Sequence, residues 1–163
     1  MARLETDNQG LKTHSSVQWR HRNIGRLLNN AIRRFEARVL VVMSEKGHPE
    51  TRIAHVSLTR NLDVGGTRLT ELARRAEMSK QAMSELVDQC ALLGLVERTD
   101  DPSDRRARLV SFTPAGFAWL EAFRDAVDLA EHEMRQELGD GLMDAILEGL
   151  SRYAVEFGTL DGR

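Results

Sequence analysis

The sequence lacks the features of disulfide-rich, membrane-spanning and secreted proteins. Its 163 residues include one cysteine, Cys90, so an internal disulfide framework is excluded. It has three prolines, and no apolar run approaches the ~20 residues that a membrane span requires. The polar N-terminus lacks the apolar core of a signal peptide. We therefore expect a cytoplasmic protein with no membrane partner, in which Cys90 is a small buried hydrophobe.

A strong excess of one charge is also missing, since the formal net charge is −2. Residues 1–60 carry 11 Lys and Arg against 5 Asp and Glu, whereas residues 111–163 carry 4 against 11. The overall charge therefore gives no support to nucleic-acid binding, and such a function must rest on where particular charges lie. We interpret the acidic C-terminal part as a solvated helix face.

Apolar residues at helical spacing predict a long first helix from Val17 to about Lys46, ended by Gly47-His48-Pro49. A helix of ~30 residues is ~45 Å long, which is too long for a compact lobe of this size. We therefore expect part of it to pack against another chain. A second, shorter helix is predicted from Glu50 to Asn61.

Two short helices joined by a tight turn follow. The first is predicted over Leu69–Ala76, and the hydroxyl of Ser79 is suited to cap the second. Gly94 is expected to end that second helix. Its apolar side is predicted to consist of Ala82, Met83, Leu86, Val87, Cys90 and Leu93.

Two short strands, Leu95–Arg98 and Arg108–Phe112, are predicted around a polar hairpin tip. Thr113-Pro114 then opens a helix to about Leu138, and a last helix covers roughly Leu142 to Phe157. This order predicts a mainly α (α+β) fold, in which a winged helix–turn–helix lobe lies between long N- and C-terminal helices.

The stretch from Leu69 to Gly116 resembles the MarR family of bacterial transcriptional regulators. The motifs that carry the resemblance are, in this order, Gly94-Leu95-Val96-Glu97-Arg98, Asp101-Pro102-x-Asp104-Arg105-Arg106 and Thr113-Pro114-Ala115-Gly116.

The resemblance implies a homodimer with intertwined terminal helices and two lobes that read a palindromic operator in double-stranded DNA. In the family, a small molecule or a redox signal often alters the lobe spacing. The domain prediction is a flexible arm over residues 1–16, a helical dimerisation region over 17–62 and 114–163, and a DNA-binding lobe over 63–113.

Arg106 is the first candidate for a DNA contact, because a guanidinium at a hairpin tip suits a narrow minor groove. Family members use the second basic position of an Asp-x-Arg wing in this way. Asp104 is predicted to brace the wing by pairing with a neighbouring arginine, or else to be a turn residue. Arg105 and Arg108 are further candidates for phosphate contacts, and a solvated loop is the alternative for Arg106.

The outer face of the second helix carries candidate base contacts. Gln81 can pair with adenine, Glu85 can accept from cytosine, and Lys80 can meet phosphate or guanine. Ser79 offers donors to phosphate at the helix start. Ser84, Asp88 and Gln89 share the face, and Glu85 and Asp88 oppose phosphate, so that Arg74 and Arg75 are expected to contribute with the wing arginines to non-specific affinity.

His55 is the candidate for an effector site, together with Arg26 or Arg38 and Trp119. An apolar wall with one or two polar groups suits an aromatic carboxylate. The alternative is a histidine satisfied within an interface. No catalytic constellation or cofactor motif stands out.

The sequence thus predicts a ligand-responsive repressor that is not an enzyme. A metal- or redox-sensing switch, using Cys90 or the five histidines, and a winged helix used only for protein assembly remain alternatives.

Overall fold

The computed structural model describes residues 19, 20 and 22–158, without the side chains of residues 105, 106 and 155–158. The chain divides into two compact units, residues 1–38 and 39–163. In the described part of the chain, no helix combines the length and the apolar character that a membrane crossing needs. The helices are α1 (Ile24–Glu45), α2 (Ile53–Asn61), α3 (Leu69–Arg75), α4 (Lys80–Leu92), α5 (Pro114–Leu138) and α6 (Asp140–Gly158), and the strands are β1 (Thr67–Arg68), β2 (Val96–Asp101) and β3 (Asp104–Phe112).

The predicted first helix is interrupted at Asn23, since residues 19, 20 and 22 are also helical. The side chain of Asn23 accepts a hydrogen bond from the backbone N–H of Arg26 at 3.0 Å, so it caps the helix that starts at Ile24. The uninterrupted part from Ile24 to Glu45 has 22 residues, which corresponds to ~33 Å. Its predicted end is confirmed at Gly47 and His48, while Val17 and the predicted arm over 1–16 lie outside the described residues.

The second helix starts later than predicted, at Ile53 instead of Glu50. The ring Nδ1 of His55 accepts from the backbone N–H of Arg52 at 3.3 Å and helps to set that start. Burial and the charge of Arg52 both lower the pKa of His55, so the neutral ring is favoured.

The helix–turn–helix is confirmed. Ser79 accepts from the N–H of Ala82 at 3.1 Å and caps α4, which ends before Gly94 at φ 72°. The inward prediction for Leu93 is wrong, since 38% of this side chain is exposed at the helix end. The turn between the helices places Glu77 at φ 52°, a left-handed conformation that costs a non-glycine residue about 1–2 kcal/mol. The buried side of α4 consists of Met83, Leu86, Val87 and Cys90.

The wing is longer than its hydrophobicity predicts. Strands β2 and β3 pair from Val96↔Phe112 to Asp101↔Asp104, so the turn between them is only Pro102-Ser103. Thr99 and Asp100, predicted as part of the polar tip, instead continue the ladder opposite Leu109 and Arg108, because cross-strand pairing depends on the backbone and on such neighbours. The register then shifts between Asp100 and Asp101. The short strand β1, absent from the sequence prediction, adds an edge in the antiparallel order β1-β3-β2.

Two helices follow the wing. Thr113 caps α5 through a 2.9 Å hydrogen bond from the N–H of Gly116, as predicted, and Gly139 ends the helix. The helix α6 begins at Asp140, two residues before the predicted start. The buried core beneath these helices includes Trp119, Ala126, Ala130 and Met143.

The first turn of α5 lies against the start of the wing. A Cβ at Gly116 would lie 1.9 Å from the carbonyl oxygen of Leu95, which itself accepts from the N–H of Thr113 at 3.1 Å. Any side chain at residue 116 must therefore push two backbone segments apart. This contact requires glycine for space, since its φ is ordinary.

We expect Gly116→Ala to lower the free energy of unfolding by at least about 2 kcal/mol through overpacking. The matched control is Gly149→Ala in α6, where an added Cβ meets nothing within 4 Å. That substitution is expected to be neutral or to stabilise by up to ~1 kcal/mol, because alanine favours a helix interior. Urea unfolding followed by circular dichroism measures both. Equal effects at the two positions would contradict the close approach.

Candidate nucleic-acid interface

The polar face of α4 is exposed as predicted. Lys80, Gln81, Glu85 and Gln89 are exposed, whereas Ser84 is half-buried. The hydroxyl of Ser79 already accepts the capping hydrogen bond, so what it retains for a ligand is its donor. One side of α4 therefore exposes polar and charged side chains to solvent, and the buried side is wholly apolar.

Gln81 and Glu85 contact each other on this face. The amide Nε2 of Gln81 donates to Glu85 Oε1 at 3.2 Å, a pairing across one helical turn. An amide has two N–H donors and a carbonyl acceptor, so Gln81 keeps one donor and its Oε1 for a further partner. The contact holds the glutamine in one orientation.

Two arginines of the wing, Arg98 and Arg108, are bound to carboxylates. Arg98 on β2 pairs with Asp88 on α4 at 2.6 Å, and Arg108 pairs with Asp100 across the hairpin at 2.7 Å. The first pair connects the wing directly to the outward side of α4. The second is largely exposed at both ends, so its contribution to stability is small.

Arg74 and Arg75, expected to contribute non-specific affinity, are also paired. Both donate to Glu71, and Arg75 donates in addition to Asp63 at 2.9 Å. Hydrogen bonds from Arg74 and then from Arg75 lower the pKa of Glu71 to about 2. Phosphate contact by either arginine must therefore compete with a carboxylate.

The wing tip is held by a carboxylate that the sequence analysis missed. Asp101 is only 5% exposed, and its Oδ2 lies 2.7 Å from Arg68 Nε and 2.6 Å from Arg68 Nη2. Its Oδ1 accepts from the backbone N–H of Ser103 at 2.8 Å and from the Ser103 hydroxyl at 2.6 Å. We call this set, Arg68, Asp101 and Ser103, the wing clasp.

The clasp depends on an ionised carboxyl group. Hydrogen bonds from Ser103, and then from Arg68, lower the pKa of Asp101 from 3.8 to about 2. Its stabilising contribution is therefore complete above the ordinary pKa and is lost as the pH falls toward 2. An aspartate that precedes Pro-Ser and bonds two residues ahead is a recognisable turn signal. Arg68, the partner of Asp101 on β1, carries no comparable signal in the sequence.

The predicted wing residues lie in β3. Asp104 opens the strand opposite Asp101, and Arg105 and Arg106 follow it in β3, where the register shifts between Asp100 and Asp101. The side chains of the two arginines are outside the described part of the molecule, so their DNA contacts stay predictions. The bracing role assigned to Asp104 also stays a prediction, beside the clasp that Asp101 forms.

The predicted effector residues are divided between the two units. In the second unit, His55 and Trp119 are buried, and the indole N–H of Trp119 donates to the Thr51 hydroxyl at 3.0 Å. Arg26 and Arg38 lie on α1 in the first unit. The ring of Trp119 stacks on Phe123 with centroids 5.2 Å apart.

Cys90 is buried within α4, as predicted. Burial raises the pKa of its thiol to about 11, which disfavours the reactive thiolate. Among residues 19, 20 and 22–158, no three His, Cys, Asp or Glu side chains gather into a group able to hold a metal ion.

The geometry defines a winged helix–turn–helix protein, and comparison with known proteins narrows this class. Residues 58–107 match the model of the MarR family. No curated protein matches the sequence.

Solved structures share the fold. MarR from E. coli in its apo form is 20% identical with a TM-score of 0.67, over 81% of this chain and 97% of that one. CouR from Rhodococcus jostii RHA1, bound to p-coumaroyl-CoA, is 24% identical with a TM-score of 0.65, over 85% and 94%. The transcriptional repressor CouR bound to a 23-mer DNA duplex is 23% identical with a TM-score of 0.63, over 94% and 99%.

The resemblance to the MarR family is therefore confirmed, and the family model matches residues 58–107. The predicted fold class is confirmed as well, with mainly helical structure around a small antiparallel sheet. The assignment of the arm and of the dimerisation regions stays a prediction.

We expect Arg68→Gln to loosen the wing tip, because it leaves the buried Asp101 carboxylate without its cation. Amide hydrogen exchange at the ends of β2 and β3 near the turn should become faster, while exchange in α5 stays unchanged. Arg108→Gln is the matched control, since it removes an exposed pair from the same hairpin. Equal exchange rates at the wing tip in both variants would show that the clasp does not hold the wing.

Proposed function

We propose that this chain is a sequence-specific DNA-binding transcriptional regulator that acts as a repressor on a palindromic operator. The observation that carries the proposal is the placement of an exposed polar helix face beside a long hairpin, joined by the 2.6 Å pair of Arg98 and Asp88. The 13 residues of α4 span ~20 Å, a length that a major groove accepts. The CouR neighbour on DNA supports the same function.

Base reading is assigned to Gln81 and Glu85, with Lys80, Ser84 and Gln89 beside them. The bond from Gln81 to Glu85 leaves Gln81 the donor and acceptor that a bidentate contact with adenine requires. Glu85 has lone pairs remaining for a cytosine amino group. The pair would then read adjacent bases as one unit, while Ser79 meets phosphate at the helix start.

The wing is assigned to the minor groove. Arg106 is the principal contact, Arg105 and Arg108 add phosphate contacts, and Asp104 orients an arginine. The hairpin of β2 and β3 supports this assignment, because the two strands are joined by a two-residue turn that the wing clasp holds. A rigid tip loses little conformational entropy when it binds a groove.

A homodimer is proposed from apolar side chains exposed on the terminal helices. Ile24 is 71% exposed on α1, and Leu27 and Ile32 are about half exposed on the same helix. The helix α6 exposes Leu142, Leu147, Leu150 and Tyr153. Exposed apolar side chains at helical spacing are typical of helices that pack against another chain, and a twofold dimer matches a palindromic operator.

We expect Arg106→Ala to weaken operator binding by ~1–3 kcal/mol, which is the scale of one lost specific contact. Fluorescence anisotropy with the DNA upstream of the chain's own gene, at one fixed salt concentration, measures this and reports two chains per site. Arg124→Ala is the matched control, because it removes the same charge from an exposed position on α5. Unchanged binding of the Arg106 variant would refute the wing assignment.

We further propose that an aromatic or phenolic acid releases the repressor by shifting its population between two lobe spacings. The ligand set is His55 and Trp119 with Arg26 or Arg38, which combines an aromatic wall with groups that suit a carboxylate. The p-coumaroyl-CoA bound to CouR supports an aromatic effector.

Salicylate at saturation is expected to change tryptophan emission and to lower operator affinity at least about tenfold, a coupling of ~1.4 kcal/mol. Benzyl alcohol, which lacks the carboxylate, is the ligand control and should have little effect. Trp119→Phe should remove most of the emission change and leave DNA binding intact. No change in either readout with salicylate would rule out this effector class.

A further inference from the structure

The first unit contains a polar cavity that shares only Arg26 with the residues assigned to the proposed function. It has a volume of about 650 Å³ and lies along the start of α1. Within the described residues, no acidic side chain lines it. Its polar lining consists of Arg20, Arg26 and Arg33 with Asn23, Asn29 and Asn30.

Helical spacing explains why three of these side chains lie together. Arg26, Asn30 and Arg33 are separated by four and three residues, so they project from the same side of α1. The rise from Arg26 to Arg33 is ~10 Å, a distance that one compact ligand can cover. Asn23 is occupied in capping the helix, which leaves the amides of Asn29 and Asn30 as neutral donors.

The three arginines differ from those of the lobe. Arg68, Arg75, Arg98 and Arg108 all pair with carboxylates. In contrast, no carboxylate among the described residues pairs with Arg20, Arg26 or Arg33. Three positive charges around one cavity repel each other, and an anionic ligand removes that repulsion.

We propose that this cavity binds a small molecule that carries at least two phosphate groups. The planar guanidinium donates two parallel hydrogen bonds to phosphate oxygens, and arginine is the residue best suited to this geometry. The volume lies within the ~300–1,000 Å³ of small-molecule sites, whereas a duplex backbone is contacted along an extended surface. The site is independent of the operator function proposed above.

Trp19 provides a direct reporter. Its backbone carbonyl accepts from the side-chain amide of Asn23 at 3.1 Å, so it lies at the edge of the cavity lining. Trp19 is 67% exposed, whereas Trp119 is 2% exposed. The two tryptophans therefore emit at different wavelengths, because an indole in water emits at longer wavelength than a buried one. The full chain is titrated with sodium tripolyphosphate, pyrophosphate and orthophosphate at constant ionic strength, and calorimetry measures the same binding without a fluorophore.

We expect a saturable change in Trp19 emission, with tripolyphosphate binding at least about tenfold more tightly than orthophosphate. The Arg20→Gln/Arg33→Gln double variant should bind tripolyphosphate at least about tenfold more weakly. Arg60→Gln/Arg124→Gln, which loses the same charge from exposed positions outside the cavity, should stay within about twofold of the unaltered chain. Trp19→Phe should lose the emission change and keep the calorimetric binding.

Three results overturn the proposal. One is the absence of both heat and saturable emission change with tripolyphosphate. Another is an equal loss of affinity in the two double variants, which would indicate general charge attraction. The third is a random-sequence duplex that requires Arg20 and Arg33 for binding while tripolyphosphate does not bind, which would assign the surface to nucleic acid.

Discussion

The lobe depends on a short backbone junction around Leu95. The N–H of Leu95 donates to the carbonyl of Cys90 in α4, and its own carbonyl accepts from the N–H of Thr113. The Thr113 hydroxyl donates to the carbonyl of Gly94, and Gly116 lies directly on Leu95. The end of α4, both ends of the wing and the start of α5 therefore meet through main-chain atoms. Side-chain repacking has little room to change their mutual orientation.

Local chemistry made much of this fold predictable. The caps at Ser79 and Thr113 and the stop at Gly94 act within one helical turn, so the sequence pattern identifies them directly. The interruption of the first helix at Asn23 was not predicted, since the apolar pattern continues through this residue, whose side chain caps α1. The wing strands were predicted too short, because pairing continues through charged residues that carry no hydrophobic alternation.

The sequence predicts which side chains of the candidate interface are exposed, but not the hydrogen bonds that those side chains form with each other. Helical periodicity places Gln81 and Glu85 outside, yet it does not reveal that they bond to each other. The contact of Arg68 with Asp101 joins residues 33 positions apart, and neither position reveals the other without the sheet. Long-range pairs of this kind follow from strand order, which β1 completes with only two residues.

The paired arginines of the lobe have a consequence for the ions around a bound duplex. A phosphate neutralised by an unpaired cation releases condensed counterions, and their entropy favours binding to any sequence. Arg98 and Arg108 must instead exchange a carboxylate for a phosphate, which returns an uncompensated negative charge to the interface. On the proposed function, these two arginines therefore contribute little ion release on random DNA. Hydrogen bonds to the correct bases then account for a larger share of the difference between an operator and the rest of a genome.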